Sequence, residues 1–308
     1  MTQLLHKHKL LAVHLIVFCI LLFCVFQFAE EIISVKQASY YALFPEPTVS
    51  EINARYTLHP MEAPPDVWFE DPPLIQHAGG QIDGYSYTNS AEAIENSLSR
   101  GENFIEIDFS YTSDAQLVCA HYWSDAMPED EIPTLEQFLS TKVQGKFTSL
   151  SGQMLIDIMR QNPEMHLITD VKNKDLLIPV VTDLVQLAEH DPELLNRIII
   201  QLYTGREKSD VQAIYPFDDT QFIFTIYQWG RWSHEVAAIC NEENIFVITL
   251  GQGGMPDEDA ALMQELGFTV YEFTLNRIDH AQQALDRGIS SLYTDNLLTS
   301  DLIWPDKS

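Results

Sequence analysis

The sequence predicts an α/β fold, a TIM-type (β/α)8 barrel preceded by a single N-terminal transmembrane helix. Three observations carry this. From residue 74 the apolar pattern switches repeatedly between short β-rich runs and longer amphipathic ones. Eight such runs occur, most of them followed by a helical segment, which is the signature of a parallel barrel. Before them, residues 10–29 are almost continuously apolar, broken only by His14 and Gln27.

The apolar run has the ~20 residues that a bilayer span requires. His6-Lys7-His8-Lys9 precedes it and Glu30-Glu31 follows. The positive-inside rule therefore predicts a cytoplasmic flank over 1–9, an anchor over 10–29, and the remainder on the extracytoplasmic side. A cleaved signal peptide is the rival reading, disfavoured because Phe26-Gln27-Phe28-Ala29 offers only Ala29 as a small residue. Seven prolines between residues 30 and 73 predict a juxtamembrane stalk or a strap on the main domain. The barrel is expected over 74–308.

Strands are expected at 74–77, 103–109, 165–171, 198–202, 222–227, 245–249, 269–273 and 291–294. Helices are expected at 90–99, 149–160, 176–189, 234–241, 257–266 and 279–287. Gly101, Gly267 and Gly288 stand just past helix ends, where a left-handed cap favours glycine. Asn89 is placed to cap the first helix and Asp257 a later one. No glycine-rich phosphate loop follows the first strand, which disfavours a doubly wound sheet. Residues 117–121 read as a short extra strand between the second and third barrel strands.

The 308 residues and 46% hydrophobic content suffice for one large domain. Seventeen Lys and Arg against 45 Asp and Glu give a formal charge of −28. Such a chain is unsuited to nucleic acid, because little is available to neutralise backbone phosphates. Four cysteines make no disulfide scaffold, and Cys119 and Cys240 are expected as buried free thiols.

In a barrel, functional groups sit at the C-terminal ends of strands. His77, Glu106 and Asp108, Asp170 and Lys172, Gln201, Tyr227, and Thr294 with Asp295 all fall at or near such ends. Glu106-Ile107-Asp108 places two carboxylates on one strand face, because side chains alternate with period two. Two like charges there need a cation. Two histidines near such a centre suit acid–base chemistry, since imidazole titrates near neutral pH. A phosphodiester repels nucleophiles, and cationic groups offset that charge.

These residues resemble the glycerophosphodiester phosphodiesterase family, within the phosphatidylinositol phospholipase C-like barrels. The resemblance spans roughly residues 74–298. It rests on His77-Ala78-Gly79-Gly80, Tyr87-Thr88-Asn89-Ser90, Glu106-Ile107-Asp108, the strand ending in His121, Asp170-Val171-Lys172, and Thr294-Asp295. It implies a phosphoric diester hydrolase acting on a phosphodiester or phospholipid-derived substrate. His77 and His121 would be the catalytic acid/base pair. Glu106, Asp108 and Asp170 would hold a divalent metal, Mg²⁺ or Ca²⁺. Lys172 would contact the phosphate, and Asn89 would orient the substrate or its loop. Gln201, Tyr203 and Trp123 are further candidates for lining the substrate site. Two positions depart from the family: Ala78 stands where Arg is usual, and Asp170 where Glu is usual. Asp-x-Lys is closer to the sphingomyelinase D-type phospholipases of the same barrel group. The nucleophile, water or a neighbouring substrate hydroxyl that would give a cyclic phosphate, stays open. So does a catalytically weak, envelope-associated module that binds headgroups.

Overall fold

A computed structural model describes residues 58–126, 131–171, 173–226 and 233–305. Among them, eight parallel strands close into a barrel. They are β1 (Ile75–Gln76), β2 (Phe104–Tyr111), β3 (His166–Asp170), β4 (Ile198–Leu202), β5 (Phe222–Ile226), β6 (Val247–Gly251), β7 (Thr269–Phe273) and β8 (Ser291–Thr294). Each pairs in parallel with its sequence neighbour, and β1 closes the ring against both β8 and β2. The expected barrel strands all form. Alternation along each strand sends one set of side chains into the barrel and the other under the helices. Ile105, Ile107, Leu167, Ile198, Ile200, Phe222, Phe224 and Ile248 face outward into the main core. Inside, Ile75, Ile168, Ile199, Ile223, Val247, Tyr271 and Tyr293 form an apolar layer. Above it the lining turns polar: Gln201, Thr225 and Thr249 are all buried.

Each helix expected after residue 74 is present, with ends shifted by a few residues. Two caps differ. Ser90 caps the first helix (Ala91–Ser99) by accepting a hydrogen bond from Ala93 N–H, leaving the Asn89 side chain for another task. Pro256 occupies the cap position before Asp257, which is the first residue of helix Asp257–Glu265. Gly101, Gly267 and Gly288 all take positive φ past helix ends, as their positions predict.

The bottom of the barrel is closed by residues that precede β1. Phe69 is buried and stacks on Phe246 at 5.8 Å. Trp68 lies against Phe104 and donates Nε1–H to the Thr220 carbonyl at 2.8 Å. Farther back, Met61 N–H bonds the Leu266 carbonyl at 2.8 Å.

A side structure grows from β2, which at eight residues outruns the barrel. Its outer half pairs antiparallel with Leu117–Cys119, and Leu150–Ser151 pairs antiparallel with that strand in turn. Val118, Ala120, Phe138, Val143 and Phe147 fill a small core beneath it. Only the first of these strands was anticipated. The other is two residues long, below the length at which alternation is visible.

The membrane anchor expected over 10–29 is corrected. No helix of the described residues is long and apolar enough to cross a membrane. Residues 10–29 themselves lie outside the described residues, and nothing among those described supports the single-pass extracytoplasmic placement built on that span.

Candidate active site

The first strand ends at Gln76, and the chain turns at once through His77–Gly79. Ala78 has φ +50, and Gly79 and Gly80 have φ +88 and +87. A Cβ at Gly80 would stand 2.4 Å from Ser97 Oγ, so this loop approaches the first helix too closely for another residue. The turn aims His77 across the barrel mouth. Its Nδ1 lies 2.8 Å from Asp295 Oδ1, just past β8, and its Nε2 lies 4.0 Å from Glu106 Oε2. Asp295 is itself clamped. Asn276 Nδ2 donates to Asp295 Oδ2 at 2.6 Å, and Asp295 N–H donates to Asn276 Oδ1 at 2.7 Å.

Glu106 and Asp108 are each 1% exposed, and Asp170, their neighbour on β3, is 5% exposed. Asp108 and Asp170 stand in direct register. One oxygen from each of the three lies within 4.8 Å of the others. Each carboxylate is held from behind by a donor. Ala78 N–H reaches Glu106 Oε2 at 2.7 Å. Asn89 Nδ2 reaches Asp108 Oδ2 at 2.9 Å, while Asp108 N–H returns to Asn89 Oδ1 at 3.0 Å. Tyr203 OH donates to Asp170 Oδ1 at 2.6 Å. Three buried carboxylates this close repel one another, and an all-oxygen set suits a hard divalent cation. The residues present therefore fit a bound metal.

His121 arrives by a different route. Phe109 pairs with Cys119, and Ala120 N–H bonds the Asp108 carbonyl at 2.9 Å. That register returns the chain to the mouth, so His121 lines the same cavity as His77, Glu106, Asp170, Gln201, Tyr87 and Tyr293. The cavity has a volume of about 120 Å³. Tyr87, named in the sequence only as the start of the Tyr87–Ser90 segment, packs against both histidines. Its ring centroid is 4.5 Å from that of His77 and 4.9 Å from that of His121, both edge-to-face.

The remaining expected residues divide. Gln201 lines the cavity, and its Oε1 accepts from Thr225 Oγ1 at 2.8 Å and Tyr293 OH at 3.2 Å. Those two donors fix the amide orientation. Tyr203 and Asn89 are buried behind Asp170 and Asp108, so the expected substrate contacts are contacts to carboxylates. Trp123 packs on Phe138 at 5.9 Å in the small side core, and the expected place in the cavity lining is corrected. Its aromaticity serves that core because the chain turns away after His121. Lys172 and Tyr227 lie outside the described residues. Cys119 and Cys240 are buried free thiols, and burial pushes both thiol pKa values up. Asp295 was expected at the last strand end but without a role, and Asn276 was missed as a site residue. Nothing local marks Asn276.

No protein-family model matches the chain, and no curated protein matches it. Solved structures do. A phosphodiesterase from Oleispira antarctica, in complex with the product sn-glycerol-3-phosphate, superposes with a TM-score of 0.61 at 15% identity, covering 74% of this chain and 94% of that one. Two glycerophosphodiester phosphodiesterases from Parabacteroides distasonis are similar as well. One has a TM-score of 0.59 at 14% identity, covering 73% of this chain and 93% of its own. The other has a TM-score of 0.57 at 18% identity, covering 80% and 88%. At this identity the likeness establishes a shared barrel fold.

Proposed function

We propose that this protein is a metal-dependent phosphodiester hydrolase, acting on glycerophosphodiester or phospholipid headgroup substrates. The observation that carries the reading is a cluster of three buried carboxylates, two of which, Glu106 and Asp170, line one cavity with two histidines at the C-terminal mouth of the barrel. The fold shared with glycerophosphodiester phosphodiesterases supports it.

Glu106, Asp108 and Asp170 hold Mg²⁺ or Ca²⁺ in this reading. When bound, the ion neutralises charge on the phosphoryl oxygens and stabilises the transition state. Asp295, an acceptor when ionised, keeps a proton on His77 Nδ1 and leaves Nε2 toward the cavity. The same carboxylate stabilises the imidazolium, so His77 is suited to take the proton from the nucleophile. His121, on the far side of Tyr87, gives a proton to the leaving alkoxide. Lys172, two residues after Asp170 in the sequence, would supply positive charge for the phosphate. Asn89 and Tyr203 hold two of the metal-binding carboxylates in place.

The test is turnover of glycerophosphocholine and of bis(p-nitrophenyl) phosphate with Mg²⁺ or Ca²⁺, before and after EDTA treatment. Activity abolished by EDTA, restored by the metal, and lost in both His77→Ala and His121→Ala is the expected result. Hydrolysis that survives EDTA and His77→Ala removes the mechanism.

A further inference from the structure

Tyr87 has no part in the proton transfers above, yet its placement is costly and specific. Its backbone takes φ +60, a left-handed conformation unfavourable for a tyrosine. Asn89, two residues on, is also left-handed at φ +47, and its N–H bonds the Ala78 carbonyl at 3.0 Å. The segment is thus tied to the His77 loop and bent so that the phenol ring enters the mouth.

The lining of the cavity poses an electrostatic problem for an anionic substrate. Among the described residues that line it, Glu106 and Asp170 are acidic and none is Lys or Arg. Ala78, beside His77, is fully buried and carries no polar side-chain atom. In the reading above, a bound metal, the histidines and Lys172 account for part of the compensation. The described lining also holds neutral donors near the histidines, and Tyr87 is the one that touches both imidazole rings.

We propose that Tyr87 is a substrate-contacting residue whose phenol hydroxyl donates a hydrogen bond to a non-bridging phosphoryl oxygen, between His77 and His121. This rests on the phosphodiester reading given above. A phosphoryl group reached by both histidines lies in the cavity that Tyr87 lines with them, beside the ring that packs on both imidazoles. Tyr87 lines the cavity together with Glu106 and Asp170 of the acidic centre. Burial, and then the charges of Asp295, Asp108 and Glu106, push its pKa up to about 12, so the phenol stays protonated and remains a donor at neutral pH. A bound cation would offset the carboxylate contribution and leave the larger one from burial.

The experiment uses the full chain with saturating Mg²⁺ and compares wild type, Tyr87→Phe and Tyr87→Ala. Tyr87→Phe keeps the ring against the histidines and deletes only the donor. The expected result is a drop of about 10- to 100-fold in kcat/KM for bis(p-nitrophenyl) phosphate. Inhibition by inorganic phosphate should weaken by about tenfold in the same variant. Tyr87→Ala should lose more, because both imidazoles lose a packing surface. If Tyr87→Phe stays within twofold of wild type in both measurements and only Tyr87→Ala falls, the ring is a spacer and the proposal is overturned. If wild type turns over no phosphodiester, the functional reading fails separately. Calorimetric binding of inorganic phosphate then decides for Tyr87: weaker binding by Tyr87→Phe supports the contact, and equal or absent binding overturns it.

Discussion

Asp295 converts His77 from an isolated imidazole into a paired one, and the Asn276 clamp leaves that carboxylate little freedom. Asp295→Asn should lower kcat by about 10²- to 10⁴-fold, because an amide no longer stabilises the imidazolium and can impose the other tautomer. Steady-state kinetics beside an unchanged circular dichroism spectrum checks this. The amide of Asn89 meets the Asp108 carboxylate and the Asp108 backbone at once. Asn89→Ala leaves a buried backbone donor unpaired, for about 1–3 kcal/mol of lost stability. It also frees a carboxylate to rotate, which should weaken metal activation by about 10- to 100-fold. Urea unfolding and a Mg²⁺ titration of activity measure the two effects separately. Asn89 shows what a single position in a sequence leaves out: its type suggested a cap or a substrate contact, and only the fold shows which acid it faces.

At the scale of elements, the segment before β1 matters as much as any helix. Phe69 fills the lower opening of the barrel against Phe246. Phe69→Ala should cost about 3–5 kcal/mol by urea denaturation. Turnover well below the melting temperature should hardly change, since the site lies at the opposite mouth. His166, the first residue of β3, stacks on Phe104 with ring centroids 4.4 Å apart. Burial lowers its pKa from 6.5, helped by Arg197, while the Glu164 carbonyl and charge oppose the shift. The folded state therefore favours the neutral ring, and the unfolded chain takes up the proton first. This contribution is constant above the ordinary histidine value, and stability falls as pH drops from there toward the lowered value. His166→Phe should flatten that part of the stability–pH curve, and urea midpoints between pH 7 and 5 test it. The longer strands and helices were legible because alternation and helical periodicity are local properties. The side structure on β2 was only partly legible, because its two-residue strand exists through pairing with a neighbour.

For the whole molecule, 45 acidic residues against 17 basic ones create a field that repels an anionic diester. Raising ionic strength shortens the Debye length from about 30 Å at 0.01 M to about 8 Å at 0.15 M. In the proposed enzyme, kcat/KM should therefore rise with NaCl over this range, contrary to an electrostatically steered enzyme. Falling kcat/KM over that range, with metal held saturating, contradicts a dominant long-range repulsion. The sequence by itself determined the order of barrel strands and helices, the pairing of Glu106 with Asp108 on one face, and the strand ends that carry His77 and Asp170. It could do so because each follows from chain chemistry over a few residues. The tertiary structure decided that Asp295 meets His77 across 218 residues, that Tyr203 and Asn89 support carboxylates, that Trp123 belongs to a side core, and that Tyr87 packs against two imidazoles. These depend on ring closure and on the register of a strand that outruns the barrel, and no local pattern encodes either one.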